Sequence, residues 1–336
     1  MSPRPVNADV PLPLPWLADM VVDPVHGHVF MSGGRGTNSI VVTNLDGSDL
    51  RLIDGVGPGA WGMTLSEDGS RLYVAASEGH EIWIVDTATL TVDDRHFWSA
   101  TTSGSPTCPT HLAETAGQLW FSWGCGQLSS LGRIDIETRG FDLYVTDDPP
   151  KISCSPARLA TVRSRPDMVI AADRCGPAHV MRYRVDVGGR DEPDLFREAV
   201  GPENGAAISQ VAISPDGEEV MSAAGHPYHH PVLRTSDLTE VRRYSISPYP
   251  NGIALRDDGL VAAGINSHVG PDVHVFDPGA STPRQTFDFE PQTLFAGGLA
   301  VSGMQIFAVT HEAWDRESLT LRIRALVQPP PEGLPI

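Results

Sequence analysis

Lysine is almost missing from this chain. Of 24 basic residues in 336, only Lys151 is a lysine and the other 23 are arginines. Positive charge is also scarce overall, with 42 acidic residues and a formal net charge of −18. A phosphate-binding surface needs a surplus of Lys and Arg, so nucleic acid is excluded as a partner. Docking on anionic lipid is excluded on the same ground. No apolar run approaches the ~20 residues that span a bilayer, so no membrane is expected. Helix-length windows free of Gly, Pro and β-branched residues are scarce, because 33 glycines and 29 prolines punctuate the chain. Met1 to Pro15 holds five prolines, one acid and one arginine. It lacks the basic, apolar, small-residue order of a secretory signal, and composition alone implies a cytoplasmic protein.

What is present is a core-forming composition. Apolar residues make up 40% and charged residues 20%, which excludes a disordered chain. Together with the turn residues, this points to an all-β protein.

One unit recurs along the chain: an apolar strand, a Gly or Asp-Gly turn, a second apolar strand, then a third and a fourth. Its turns fall at Gly27, Gly69, Gly117, Arg165, Gly217, Gly259 and Gly303, which are 42 to 52 residues apart. Four-stranded units of roughly 40–50 residues are the signature of a β-propeller. The Asp-Gly dipeptides supply the positive φ that tight hairpins need. Seven such units nearly exhaust the chain. The expectation is one seven-bladed β-propeller over residues 1–336, expected to be monomeric. Its blades run approximately 16–58, 59–104, 105–150, 151–204, 205–248, 249–292 and 293–328. The last unit lacks a fourth strand, because Gln328-Pro329-Pro330-Pro331 cannot pair centrally. The segment 4–13 is free to complete blade seven and close the ring.

Two blades carry a resemblance. Arg71-Leu72-Tyr73-Val74-Ala75 precedes Glu81-Ile82-Trp83-Ile84-Val85-Asp86-Thr87-Ala88-Thr89-Leu90, and Val211 to Gly217 forms a "V-A-I-S-P-D-G" hairpin. These stretches resemble the YVTN, YncE-like propeller repeat. Stretches such as Val21 to Phe30 and Arg234 to Leu238 resemble propeller modules of secreted actinobacterial proteins. The resemblance implies the propeller fold; such propellers host lactonases, lyases, oxidases and pure binding modules.

In a propeller, the starts of the innermost strands (A) and the ends of the second strands (B) ring the top of the axial channel. Seven of the 12 histidines fall there: His80, His111, His226, His229, His230, His268 and His311. Histidine titrates near neutral pH. We therefore take His226, His229, His268, His311 and Glu312 as candidate acid–base residues. Asp19, Trp61, His111, Trp123, Arg158, Gln210, Tyr228, Asn251 and Trp314 are candidate ligand-binding residues. Among them Arg158 and Gln210 are placed to hold an anionic or carbonyl group, and the aromatics to wall a pocket. Arg174 also sits on this ring.

Other chemistries lack their residues. There is no Gly-x-Ser-x-Gly elbow. Lys151 stands in a loop, and Ser32-Gly33-Gly34-Arg35-Gly36 is followed by no helix. No redox cofactor is expected, and a divalent metal held by top-face histidines is the minor alternative. Cys108 and Cys125 occupy the same places in one blade as Cys154 and Cys175 in the next. Two disulfides, Cys108–Cys125 and Cys154–Cys175, would each join two top-face loops. Their formation would imply a secreted or extracytoplasmic protein, against the compositional reading. A four-cysteine zinc site is the rival, weakened by the lack of any Cys-x-x-Cys. Two functions remain open: a lyase, cyclase or hydrolase of a small molecule, and a non-catalytic module binding a small ligand, peptide or glycan.

Overall fold

The computed structural model describes residues 6–99, 101–102, 105–125, 129–144, 155–186, 194–203, 207–246, 248–268, 270–312 and 315–327. They form seven four-stranded antiparallel sheets arranged as the blades of a β-propeller. Each innermost strand begins at the axis: Asp19–Asp23, Ala60–Leu65, Pro109–Thr115, Arg158–Ala160, Ile208–Ile213, Pro250–Leu255 and Gln292–Ser302. No helix among the described residues is long and apolar enough to cross a membrane.

The apolar residues explain the ring. Among the described residues seven buried clusters exist, and each lies between two neighbouring blades. Phe30, Ile40 and Val42 of blade one meet Leu72, Val74 and Val85 of blade two. The series continues around to Val29, Met31 and Val41 of blade one against Phe307, Val309 and Leu321 of blade seven. A blade alone would leave both of its faces wet, so burial of apolar area drives closure.

The ring is closed by a strand from the other end of the chain. Strand Ala8–Pro11 pairs antiparallel with Asp315–Ala325, pairing Ala8 with Ile323 and Pro11 with Thr320. It forms the outer strand of blade seven, where prolines cost no ladder bond. Arg4 and Pro5 of the expected closing segment lie outside the described residues.

The repeat motif has a physical cause. Thr87 Oγ1 donates to Gly69 O at 2.6 Å, and Thr235 Oγ1 donates to Gly217 O at 2.6 Å. Both threonines are buried and latch the strand C exit onto the A–B turn of the same blade. Asp68 in the blade-two turn accepts from Ser66 Oγ, Ser70 N and Ser70 Oγ, and these bonds pull its carboxyl down to about 2. Asp216 in blade five accepts from Ser214 Oγ and Glu218 N, and these bonds also lower its carboxyl.

Candidate functional site

The strand-A starts bring Asp19, His111, Arg158 and Gln210 together around a channel of about 250 Å³. Arg158 is the member that crosses it. From blade four it reaches Asp19 Oδ1 at 3.4 Å and donates to Ala18 O at 3.2 Å, both in blade one. Gly297 of blade seven leaves room for it: a Cβ there would stand 3.2 Å from Arg158 Nη2. Asp19 in turn accepts the Met63 N–H of blade two at 2.9 Å. Gln210 is similarly engaged. Its Nε2 donates to Leu299 O at 2.9 Å and its Oε1 accepts from Ile253 N at 3.0 Å. Gln210 thus ties blade five to blades six and seven.

His111 is clamped between two arginines. Its Nδ1 lies 3.3 Å from Arg158 Nη1, and its Nε2 lies 3.3 Å from Arg174 Nη1. Burial, then the two guanidiniums, hold it well below the usual histidine range. The ring is neutral and has one lone-pair nitrogen, so it can accept from only one arginine. Burial also lowers both arginines, with Arg174 brought to about 10. Asp19 is raised by burial, and Arg158 opposes that rise.

Above this layer a second cavity of about 430 Å³ opens on the top face. Arg174, Ser209, Tyr249, Asn251, Asn266 and Ala296 line it. Tyr249 at its edge is 52% exposed, packs edge-on against Tyr228 at 5.2 Å, and Tyr228 packs against His226 at 5.6 Å. Asn251 Nδ2 donates to Leu294 O at 2.7 Å, which leaves its buried Oδ1 without a partner.

The candidate acid–base residues are placed differently. His311 is buried, donates from Nδ1 to Glu312 O at 2.8 Å and packs edge-on against Phe295. His229 stands 3.8 Å from Glu240 Oε2, with burial the main cause of its lowered pKa. His268 and Glu312 are exposed. Neighbouring His230 is fully buried, and its Nε2–H is shared by the carbonyls of Gly252 and Gly264. Trp61 is half-buried below Gly34. Trp123 turns inward, donates from Nε1 to Leu131 O and packs on the cluster between blades two and three. Trp314 and Lys151 lie outside the described residues.

Cys108 and Cys125 form a disulfide with Cα atoms 5.3 Å apart. His80 Nδ1 lies 3.4 Å from Cys108 Sγ. These three donors are clustered, and the disulfide bond leaves no thiolate among them for a metal. Cys175 is also disulfide-bonded, and Cys154, its expected partner, lies outside the described residues. The bond between Cys108 and Cys125 is compatible with an oxidising compartment.

Two residues lining the upper cavity stand out little in the sequence. Arg174 lies just past strand B of blade four and shares that blade with Arg158, which is the signal that could have paired them. Tyr249 precedes a strand start by one residue, and nothing in the repeat marks it.

Comparison with known proteins fixes the fold and leaves the ligand open. No family model matches the chain, and no curated protein sequence matches it. Solved structures match in 1455 chains, so the fold is too common to name a function. One is a chain of "Crystal Structure of Mitotic Checkpoint Complex", with TM-score 0.69 and 12% identity over 98% of this chain and 95% of that one. Another is "Structure of U3-55K", with TM-score 0.66 and 14% identity over 91% of this chain and 95% of that one. The chain is similar to both in fold, as a seven-bladed propeller.

Proposed function

We propose that this propeller is a recognition module without chemistry of its own, with its ligand site at the top mouth of the axial channel. One observation supports the reading above others. An open cavity of about 430 Å³ has an aromatic edge at Tyr249 and a guanidinium, Arg174, in its lining. Apolar walls with a few convergent polar groups are what ligand sites consist of. The acid–base alternative would need several histidines sharing one pocket with free ring nitrogens. His311 has one nitrogen engaged by a carbonyl, and His268 faces solvent. The YncE-like resemblance of blades two and five favours the same reading, and the disulfide suits an extracytoplasmic module.

Titration calorimetry tests it. N-acetylphenylalanine and N-acetylphenylalanine amide both carry an aromatic body and an amide. At least one should bind one-to-one, and Tyr249→Ala should weaken that binding tenfold or more. If neither binds, or if Tyr249→Ala binds as the parent does, the mouth is not a recognition site.

A further inference from the structure

The top-face mouth carries an unbalanced charge, and its ligand follows from that. We infer that the mouth receives a carboxylate, held by the guanidinium of Arg174 in its lining. The inference rests on the recognition reading above and specifies its ligand.

Charge is the first argument. Asp19 is the carboxylate that acts on both guanidiniums, Arg158 and Arg174. Arg158 contacts it directly at 3.4 Å with a side chain only 13% exposed. With His111 neutral, one carboxylate faces two guanidiniums, and one positive charge is left over. Buried charge is costly unless it is paired. A monoanion restores the balance.

Hydrogen-bond accounting is the second argument. Arg158 is fixed by Asp19 and the Ala18 carbonyl, so its contact with His111 Nδ1 is the settled one. Nδ1 then carries the lone pair and Nε2 carries the hydrogen. Arg174 Nη1, 3.3 Å from Nε2, therefore meets another donor. Two donors 3.3 Å apart leave no room for an acceptor between them, so Arg174 is the donor left to turn to a carboxylate in the cavity it lines. The Nε atoms of Arg158 and Arg174 are also sealed from solvent without partners. Among the described residues, this mismatched contact is the one hydrogen-bonding contact of Arg174.

The rest of the lining sets the ligand body. Ala207, Ile208, Pro250 and Ala296 are apolar, and Tyr249 offers a ring face. Asn251 Oδ1 is an orphan acceptor in the same lining. A carboxylate with an apolar side group and a nearby N–H satisfies all three demands. An acylated amino acid has that chemistry, and so does the last residue of a peptide.

The test compares N-acetylphenylalanine with its uncharged amide by calorimetry at pH 7. The acid should bind at least tenfold more tightly, since a charge-assisted bidentate pair is the stronger kind. Arg174→Met should erase the preference of the site for the acid over the amide. Arg174→Lys retains charge without the fork and should restore part of the preference. Thermal melts of each variant establish that it is folded. Equal binding of acid and amide overturns the carboxylate assignment and leaves the recognition reading intact. Tighter binding of inorganic phosphate than of the acid also overturns it. Failure of both probes overturns both readings. Ala-Ala-Phe separates the two sources: tighter binding than N-acetylphenylalanine supports a chain terminus, and weaker binding supports a free acid.

Discussion

Arg158 Nη1 lies 3.4 Å from Asp19 Oδ1, joining blade four to blade one across the axis of the ring. Arg158 also donates to the Ala18 carbonyl of blade one, whereas Asp19 and Gln210 bond to neighbouring or next-neighbouring blades. The pair is therefore a strut across the ring. Removing one member leaves the other charge buried, which costs about 3–5 kcal/mol. Arg158→Met should lower the unfolding free energy by that order in urea at pH 7. Adding Asp19→Asn to it should recover more than half. If the double variant is no more stable than the single one, the strut does not act as a charge pair.

Ring closure is expected to depend on the strand and little on its ion pairs. Asp9 contacts Arg322 and Arg324, with its own side chain 47% exposed. Exposed pairs contribute less than about 1 kcal/mol. Asp9→Ala should thus shift the urea midpoint only slightly. Deleting residues 1–13 uncovers the edge of blade seven and removes Leu12 from the cluster it shares with Leu319 and Leu321. That deletion should broaden the thermal transition, and a synthetic 1–13 peptide should sharpen it again.

Acid should weaken the fold through His230. Burial brings its pKa from 6.5 to about 4, so the unfolded chain takes up this proton first. Stability from this residue is present above pH 6.5 and is lost as pH falls toward 4. His230→Gln retains a donor for the two carbonyls and should flatten the melting curve over that window. Asp272 has the opposite sign. Burial raises its carboxyl from 3.8 to about 6, so its contribution is present below 3.8 and lost as pH rises through 6. Asp272→Asn should raise the melting temperature at pH 7.5 and leave it nearly unchanged at pH 3.5.

The Cys108–Cys125 bond closes a loop with a sequence separation of 17, worth about 3 kcal/mol by restriction of the unfolded chain. Cys108→Ser with Cys125→Ser should lower the unfolding free energy by that order. Unreduced protein denatured with a thiol reagent should show no free thiol. Four reactive thiols would refute the bridge.

The ring was legible because its rules are local. Gly27, Gly69, Gly117, Gly217, Gly259 and Gly303 mark the hairpins, and each has a positive φ. The closing strand was legible because Pro-rich Gln328 to Pro331 left blade seven short of a partner. The site was legible only as a rim. Register placed Asp19, His111, Arg158 and Gln210 at the axis, where the structure places them too. Register says nothing of how far a side chain reaches. The span of Arg158 across the channel depends on space beside Gly297, three blades away in the ring. His230 could not be told from His229 in the same way, since whichever side chain faces inward becomes core. Trp123 looked like a pocket wall, and its indole N–H instead found the Leu131 carbonyl in its own blade.

The pairing of Ala8 with Ile323 also has a temporal side. During synthesis the growing chain is an open arc. Blade one presents Val29, Met31 and Val41 with nothing to cover them until Phe307, Val309 and Leu321 have been made. The arc therefore carries a sticky end until blade seven has been made. Its twin is the unfinished edge of blade seven, and the two are removed in one event. A protein built this way is most prone to aggregation just before it is complete.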